Sequence, residues 1–201
     1  MTAIMDRHKL IQVEMAHHGL YLDKIDGIWG VKSQIAMNQY KRRNLTPYYV
    51  NLHNYVGFLW TDNVPKWFRI AWEERMFEVT EIPGLRNHSD ILKYGETVDL
   101  EIDSDEIPWC STFVNWCVQE SDYVGTYKAN ARSWLHWGQY ISTPTFGCVA
   151  IFARPPQPES GHVGFYVTQQ QNEILVLGGN QSNEINISRY PVKNLLGYRT
   201  L

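Results

Sequence analysis

Pro108-Trp109-Cys110-Ser111-Thr112-Phe113-Val114-Asn115-Trp116-Cys117 reads as a loop that turns into a helix with a cysteine at its first turn. Acidic and turn-forming residues precede it (Asp103, Ser104, Asp105, Glu106), and Pro108 suits a helix entry. Beyond it Phe113, Val114, Cys117 and Val118 recur at helical spacing. A thiol at a helix start faces unpaired N–H groups and the positive end of the macrodipole, and both favour the thiolate. A cysteine so placed is either an activated nucleophile or a buried structural thiol. The C-terminal third of the chain decides between them.

There the hydrophobic period changes to two. Val149-Ala150-Ile151-Phe152 reads as a buried strand ended by Pro155-Pro156. Gly161 to Val167 and Ile174 to Leu177 read as two more strands, joined by a polar hairpin loop, with a fourth at Asn186 to Tyr190. Helices first and an antiparallel sheet after predict an α+β fold with segregated helices. If Thr168 pairs with Ile174, Gly164 faces Gly178 and His162 faces Asn180. Opposed residues share a face, so the amide of Asn180 would fix the imidazole tautomer. The two glycines would leave room for a helix N-terminus. A cysteine, a histidine and an orienting amide, in that chain order, form a nucleophile–base–orienter set.

At 201 residues the chain holds one domain of ordinary size plus a small module. Net charge is -3, which does not point to nucleic acid. Residues 1–43 carry seven Lys/Arg against four Asp/Glu; the remainder carries eleven against seventeen. The basic N-terminal part suits an anionic polymer. No apolar run approaches the ~18 residues of a membrane span. Asp6, Arg7, His8 and Lys9 replace the apolar core a signal peptide would need, so synthesis in a cytoplasm without Sec export is expected. Cys110, Cys117 and Cys148 make no even framework. In a helix Cys110 and Cys117 lie about 10 Å apart, beyond the ~7 Å a disulfide spans, so free thiols are expected.

Residues 4–18 predict an amphipathic helix ended by Gly19, then the turn-rich loop Tyr21 to Gly30, then a helix over Lys32 to Arg43 burying Ile35, Ala36 and Tyr40. Residues 44–65 are too aromatic for a free linker and predict a packed connector. A helix is expected from Lys66 to Val79 with Phe68, Ala71, Trp72 and Arg75 on one face. Two short helices follow, capped by Ser89 and Asn130.

Ile11-Gln12, Asp26-Gly27-Ile28-Trp29-Gly30 and Ala36 through Gln39-Tyr40 resemble the peptidoglycan-binding modules of cell-wall hydrolases. The resemblance covers residues 1–43 and suggests Tyr21, Asp26 and Trp29 as wall contacts; the alternative is a helical appendage with Trp29 as its core. Trp109 to Val114, Gly161 to Val167 and Leu177-Gly178-Gly179-Asn180-Gln181-Ser182-Asn183 resemble the CHAP and NlpC-like hydrolases. So do Ala131 to Leu135 and Leu196 to Arg199, as in a phage-type subgroup. This resemblance covers residues 66–201 and implies a papain-like fold. It also implies Cys110 as nucleophile, His162 as base and Asn180 as the third residue, on a peptidoglycan substrate and with no cofactor. Gly147-Cys148 departs from the Gly-Asp of many relatives, and Cys148 reads as structural.

Trp109, Arg132, Trp134 and Gln181 are the substrate-contact candidates. The tryptophans either line a groove or pack, and Arg132 either binds a stem-peptide carboxylate or forms a structural ion pair. Asp103 and Asp105 are either calcium ligands, as in some relatives, or loop and helix caps; capping is the preferred reading. The whole chain resembles a modular phage endolysin: monomeric, without membrane insertion, acting on the wall after release from the host. A non-catalytic wall-binding protein and a secreted antibacterial effector are the competing readings.

Overall fold

A computed structural model describes residues 12, 15, 20–26, 28, 30–42, 64–76, 79–84 and 86–201. The chain divides into two compact units, Met1–Val64 and Pro65–Leu201.

In the first unit the amides of Leu20 and Tyr21 both bond the carbonyl of Met15, closing a helical turn before the loop. Helix α1, Val31–Arg42, follows. Its buried positions are Ser33, Ala36 and Met37, spaced for one helical face. Ile35 was expected to point inward; that stripe turns it outward, and it is 52% exposed. Met15, Tyr21, Ala36 and Met37 form a small core around Gln12, which has no exposed surface. Gln12 Nε2 lies within hydrogen-bond reach of the Tyr21 hydroxyl, the Asp26 carboxylate, the Ile28 carbonyl and Ser33 Oγ, and its Oε1 accepts from the Asp26 amide. Most of the predicted first helix, Trp29, Tyr40's side chain and the connector up to residue 63 lie outside the described residues.

The second unit begins with α2, Lys66–Met76, which buries Phe68, Ala71, Trp72 and Arg75 at the predicted spacing. Helix α3, Ser89–Gly95, is capped by His88 and not by Ser89: His88 Nδ1 accepts from the Asp90 amide. Helix α4, Cys110–Gln119, is buried from Cys110 to Val118, the signature of a helix enclosed by its own domain. Asn130 caps a 3-10 helix, Ala131–His136, through the Arg132 amide at 2.7 Å.

The sheet has six antiparallel strands: β1 Gln139–Ile141, β2 Val149–Arg154, β3 Gln157–Gln170, β4 Glu173–Gly178, β5 Asn186–Pro191 and β6 Leu195–Thr200. They are ordered β1-β6-β2-β3-β4-β5. Strand alternation gives two faces. On one, Cys148, Ala150, Phe152, Ile174, Val176 and Tyr198 form a core cluster. On the other, Phe165 meets Phe68 of α2 edge-on at 6.3 Å. Helices packed on an antiparallel sheet make this the α+β, papain-like architecture expected. Strands β1 and β6 were not anticipated.

Candidate active site

Cys110 opens α4, and the backbone N–H groups of Val163, Ser111 and Cys110 itself lie close enough to its sulfur to favour the thiolate. Val163 follows His162 on β3, so the thiol lies near the strand residue next to the imidazole. Trp109 and Trp134 brace this helix start. Trp109 donates its indole N–H to Glu81 at 2.8 Å, and Trp134 donates to Ser111 Oγ at 2.9 Å. Both tryptophans are fully buried. They were candidates for substrate contact, and the structure makes them packing residues whose polar atoms are satisfied inside the domain.

His162 is fully buried and Cys110 is 3% exposed. The ring stacks on Tyr190 at 4.6 Å with planes 10° apart. Its Nε2 meets Gln181 Oε1 at 3.0 Å, and its Nδ1 meets Arg154 Nη2 at 3.1 Å. The orienting amide is thus Gln181 and not Asn180, a correction with a local cause. The predicted register holds at Tyr166 and Val176, but a shift between Tyr166 and Thr168 pairs Thr168 with Leu175 in place of Ile174. Strand β4 then ends at Gly178, and Asn180, Ser182 and Asn183 all take positive φ. Alternation stops where the extended backbone stops. Asn180 Nδ2 donates to Glu81 at 3.0 Å, away from the imidazole.

Two glycines permit this turn. A Cβ on Gly179 would lie 2.3 Å from the Trp109 ring, and one on Gly178 would crowd Gln181 and His162 Nε2. The space at Gly178 therefore serves Gln181. Gly164, expected to admit the helix, instead admits its neighbouring strand, since its Cβ would meet Val176 at 2.5 Å.

Gln181 is nearly as buried as the ring, and its orientation is fixed by its other end. Nε2 donates toward the Val176 carbonyl at 3.2 Å, the Asn186 carbonyl at 2.6 Å and Asn186 Oδ1 at 2.9 Å. Oε1 must therefore face the histidine.

Burial dominates the electrostatics. It pushes the Cys110 thiol up, against the opposing pull of the Arg154 charge and of the three N–H groups. Burial also holds His162 down at about 3; Arg154 adds to the depression and Gln181 opposes it. The resting pair is thiol and neutral imidazole, whereas the helix start by itself favours a thiolate. Cys117 and Cys148 are buried free thiols, raised by burial, Cys148 to about 12, and both sit in core positions.

Arg132 keeps a surface role. Its Nε donates to the Ser160 carbonyl at 3.1 Å, and its stem passes beside Gly161. With Lys128, Asn130, Ser133, Tyr127 and His136 it lines a cleft of about 490 Å³. The loop bearing Lys128 is tied to the α4 start, since Ser111 Oγ donates to the Lys128 carbonyl at 2.7 Å.

Asp103 is exposed. Asp105 is buried and accepts from the amides of Ile82 and His88 at 3.0 and 2.9 Å, which makes it a loop tie. Among the described residues no group of three or more His, Cys, Asp or Glu side chains is assembled to hold a metal ion. Tyr21 and Asp26 are drawn into the Gln12 network; Asp26 also accepts from the Ile28 amide at 2.8 Å. Arg154, Tyr190 and Glu81 were not identified as site residues from the sequence. No periodic or spacing signal marks them, because they reach the site from a strand end, an edge strand and a loop.

Residues 102–180 match the family model described as the CHAP domain, and a CHAP domain is present there. The matched segment contains Cys110, Arg154, His162 and Asn180 and stops one residue before Gln181. Comparison with curated proteins finds no match.

Proposed function

From a CHAP domain whose cysteine opens a buried helix beside an oriented histidine, we infer a thiol hydrolase that cuts amide bonds in the peptide of bacterial peptidoglycan. The observation that carries the reading is Cys110 at the first position of α4, close to the Val163 N–H, together with a His162 on the adjoining residue whose far nitrogen is held by Gln181. Cys110 passes its proton to His162 Nδ1 and attacks the amide carbonyl. The oxyanion meets backbone N–H groups at the α4 start, including that of Cys110. The protonated ring then delivers its proton to the leaving amine, and the neutral ring activates water to break the thioester. Gln181 steadies the ring throughout and takes no proton.

The cleft carrying Arg132 and Lys128 supports a substrate with carboxylates, which stem peptides supply. On that ground endopeptidase cleavage is preferred to N-acetylmuramoyl-L-alanine amidase cleavage. Residues 1–43 are proposed to bind the wall. With Tyr21 buried, the exposed Leu22, Ile28 and Val31 become the contact candidates there. The proposed setting is the lysis of a bacterial wall by a phage-type enzyme.

Mass spectrometry of digested sacculi tests the bond. Shortened or uncrosslinked muropeptides are expected. Intact stems with a free L-Ala amine would replace the endopeptidase reading with the amidase one, and an undigested sacculus would overturn the hydrolase reading.

A further inference from the structure

We propose that Arg154 is a positioning residue that masks the base: its guanidinium holds His162 in the Nε2–H tautomer and occupies Nδ1, the one ring atom able to take the proton of Cys110. The inference rests on the thiol-hydrolase reading above. A guanidinium has donors only, so the 3.1 Å contact of Arg154 Nη2 requires a lone pair on Nδ1. The opposite nitrogen is fixed independently. Gln181 Nε2 is committed to the oxygens of Val176 and Asn186, so its Oε1 is an acceptor and Nε2 of the ring carries the hydrogen. Both ends of the imidazole therefore specify one tautomer.

An imidazolium bears hydrogen on both nitrogens. It and the Arg154 contact are mutually exclusive. Transfer of the Cys110 proton to Nδ1 breaks the Arg154 hydrogen bond, and the guanidinium must turn to another acceptor. The Tyr190 hydroxyl, which lies near the guanidinium, offers one. Arg154 is the last residue of β2, half-buried, and the β2–β3 register shifts between Ala153 and Arg154, so solvent lies within its reach. The arginine acts on the pair in two opposed ways. Its charge favours a thiolate at Cys110, while its contact and charge together disfavour the imidazolium. The masked state is the one in which the second effect prevails.

The two effects predict opposite signs in one experiment. Alkylation of Cys110 by uncharged iodoacetamide is followed by intact mass on the full chain at pH 7. Arg154→Gln is expected to react roughly tenfold faster than the parent, the effect of about one pKa unit on thiolate fraction. The gain should vanish in the Arg154→Gln, His162→Ala double variant. An unchanged or slower Arg154→Gln overturns the proposal and makes Arg154 the counter-ion of the thiolate. A gain that survives loss of His162 also overturns it, reducing Arg154 to a steric cover. Nitrogen-15 shifts of His162 in the parent protein give a measurement independent of any variant's folding: the Nε2–H tautomer is expected, and the Nδ1–H tautomer refutes the mask. None of these readouts uses peptidoglycan. A protein that alkylates as expected but digests no sacculus would sink the substrate reading alone.

Discussion

Gln12 in the N-terminal unit and Gln181 in the C-terminal unit are both buried amides with each end engaged. They do different work. Gln12 binds the backbone and side chains of a loop, so its bonds end in architecture. Gln181 binds backbone at one end and an imidazole at the other, so its bonds end in chemistry. Around Gln12 the aliphatic side chains of Leu22, Ile28 and Val31 face outward; around Gln181 the aromatic and aliphatic neighbours face inward. One chemical device therefore makes a small module foldable in one place and makes a base addressable in the other. The difference teaches that a buried amide is read by what its carbonyl oxygen meets.

The comparison is broken most severely at the nucleophile. Cys110→Ala should abolish clearing of sacculi, and His162→Ala should lower turnover by at least the ~10²–10⁴ that general acid–base catalysis supplies. Turbidity loss at matched protein concentration measures both; a Cys110→Ala protein that still clears walls would end the thiol mechanism.

Next comes the amide. Gln181→Leu leaves the buried Nε2–H of His162 without a partner, at a cost of about 1–3 kcal/mol. Turnover should fall by about tenfold or more through a disordered ring, with KM little changed. Asn180→Ala, which frees only Glu81 and not His162, should lose much less. Equal losses in the two variants would return the orienting role to the turn as a whole.

On the other side, Gln12→Leu removes the hub of the N-terminal loop. Sacculus binding by the full chain should weaken several-fold while cleavage of soluble muropeptides is unchanged. Equal sacculus binding by the variant and the parent would show that the loop is not the wall contact.

A separate effect, on stability and not on turnover or binding, is the response to acid. The folded pKa of His162, about 3, lies below the ordinary value of 6.5. The unfolded chain therefore binds more protons between those values, and stability falls as the pH drops through that window, by up to about 1.4 kcal/mol per pH unit. Thermal melts at pH 7 and pH 4 should separate more widely for the parent than for His162→Ala. Parallel shifts would mean that the ring is not held neutral.

Much of this was legible in the chain. Cys110 announces itself because a proline and acids precede a helical period. His162 does so because glycines flank it in a strand of period two. The third residue was not legible, since β4 ends at Gly178 and a left-handed turn breaks the count that pointed to Asn180. Gln181 stood only among the substrate-contact candidates. The tryptophans beside the site looked like groove walls because an indole serves a core and a surface equally. Only the Glu81 and Ser111 partners decide that Trp109 and Trp134 are core. Arg154 was invisible for the same reason as β6: a half-buried strand end carries no periodic signature.

The three oxygens around Gln181 Nε2 fix which isosteres the position accepts. Glutamate matches glutamine in shape, but it would set a carboxylate oxygen against the carbonyls of Val176 and Asn186 and the Asn186 side-chain oxygen. That oxygen could approach only as the protonated acid, with a single hydrogen where the amide offers two. The substitution that looks most conservative on paper is therefore excluded by proton inventory. The third member of this site is confined to an amide, and the site gains no negative charge with which to hold an imidazolium at rest.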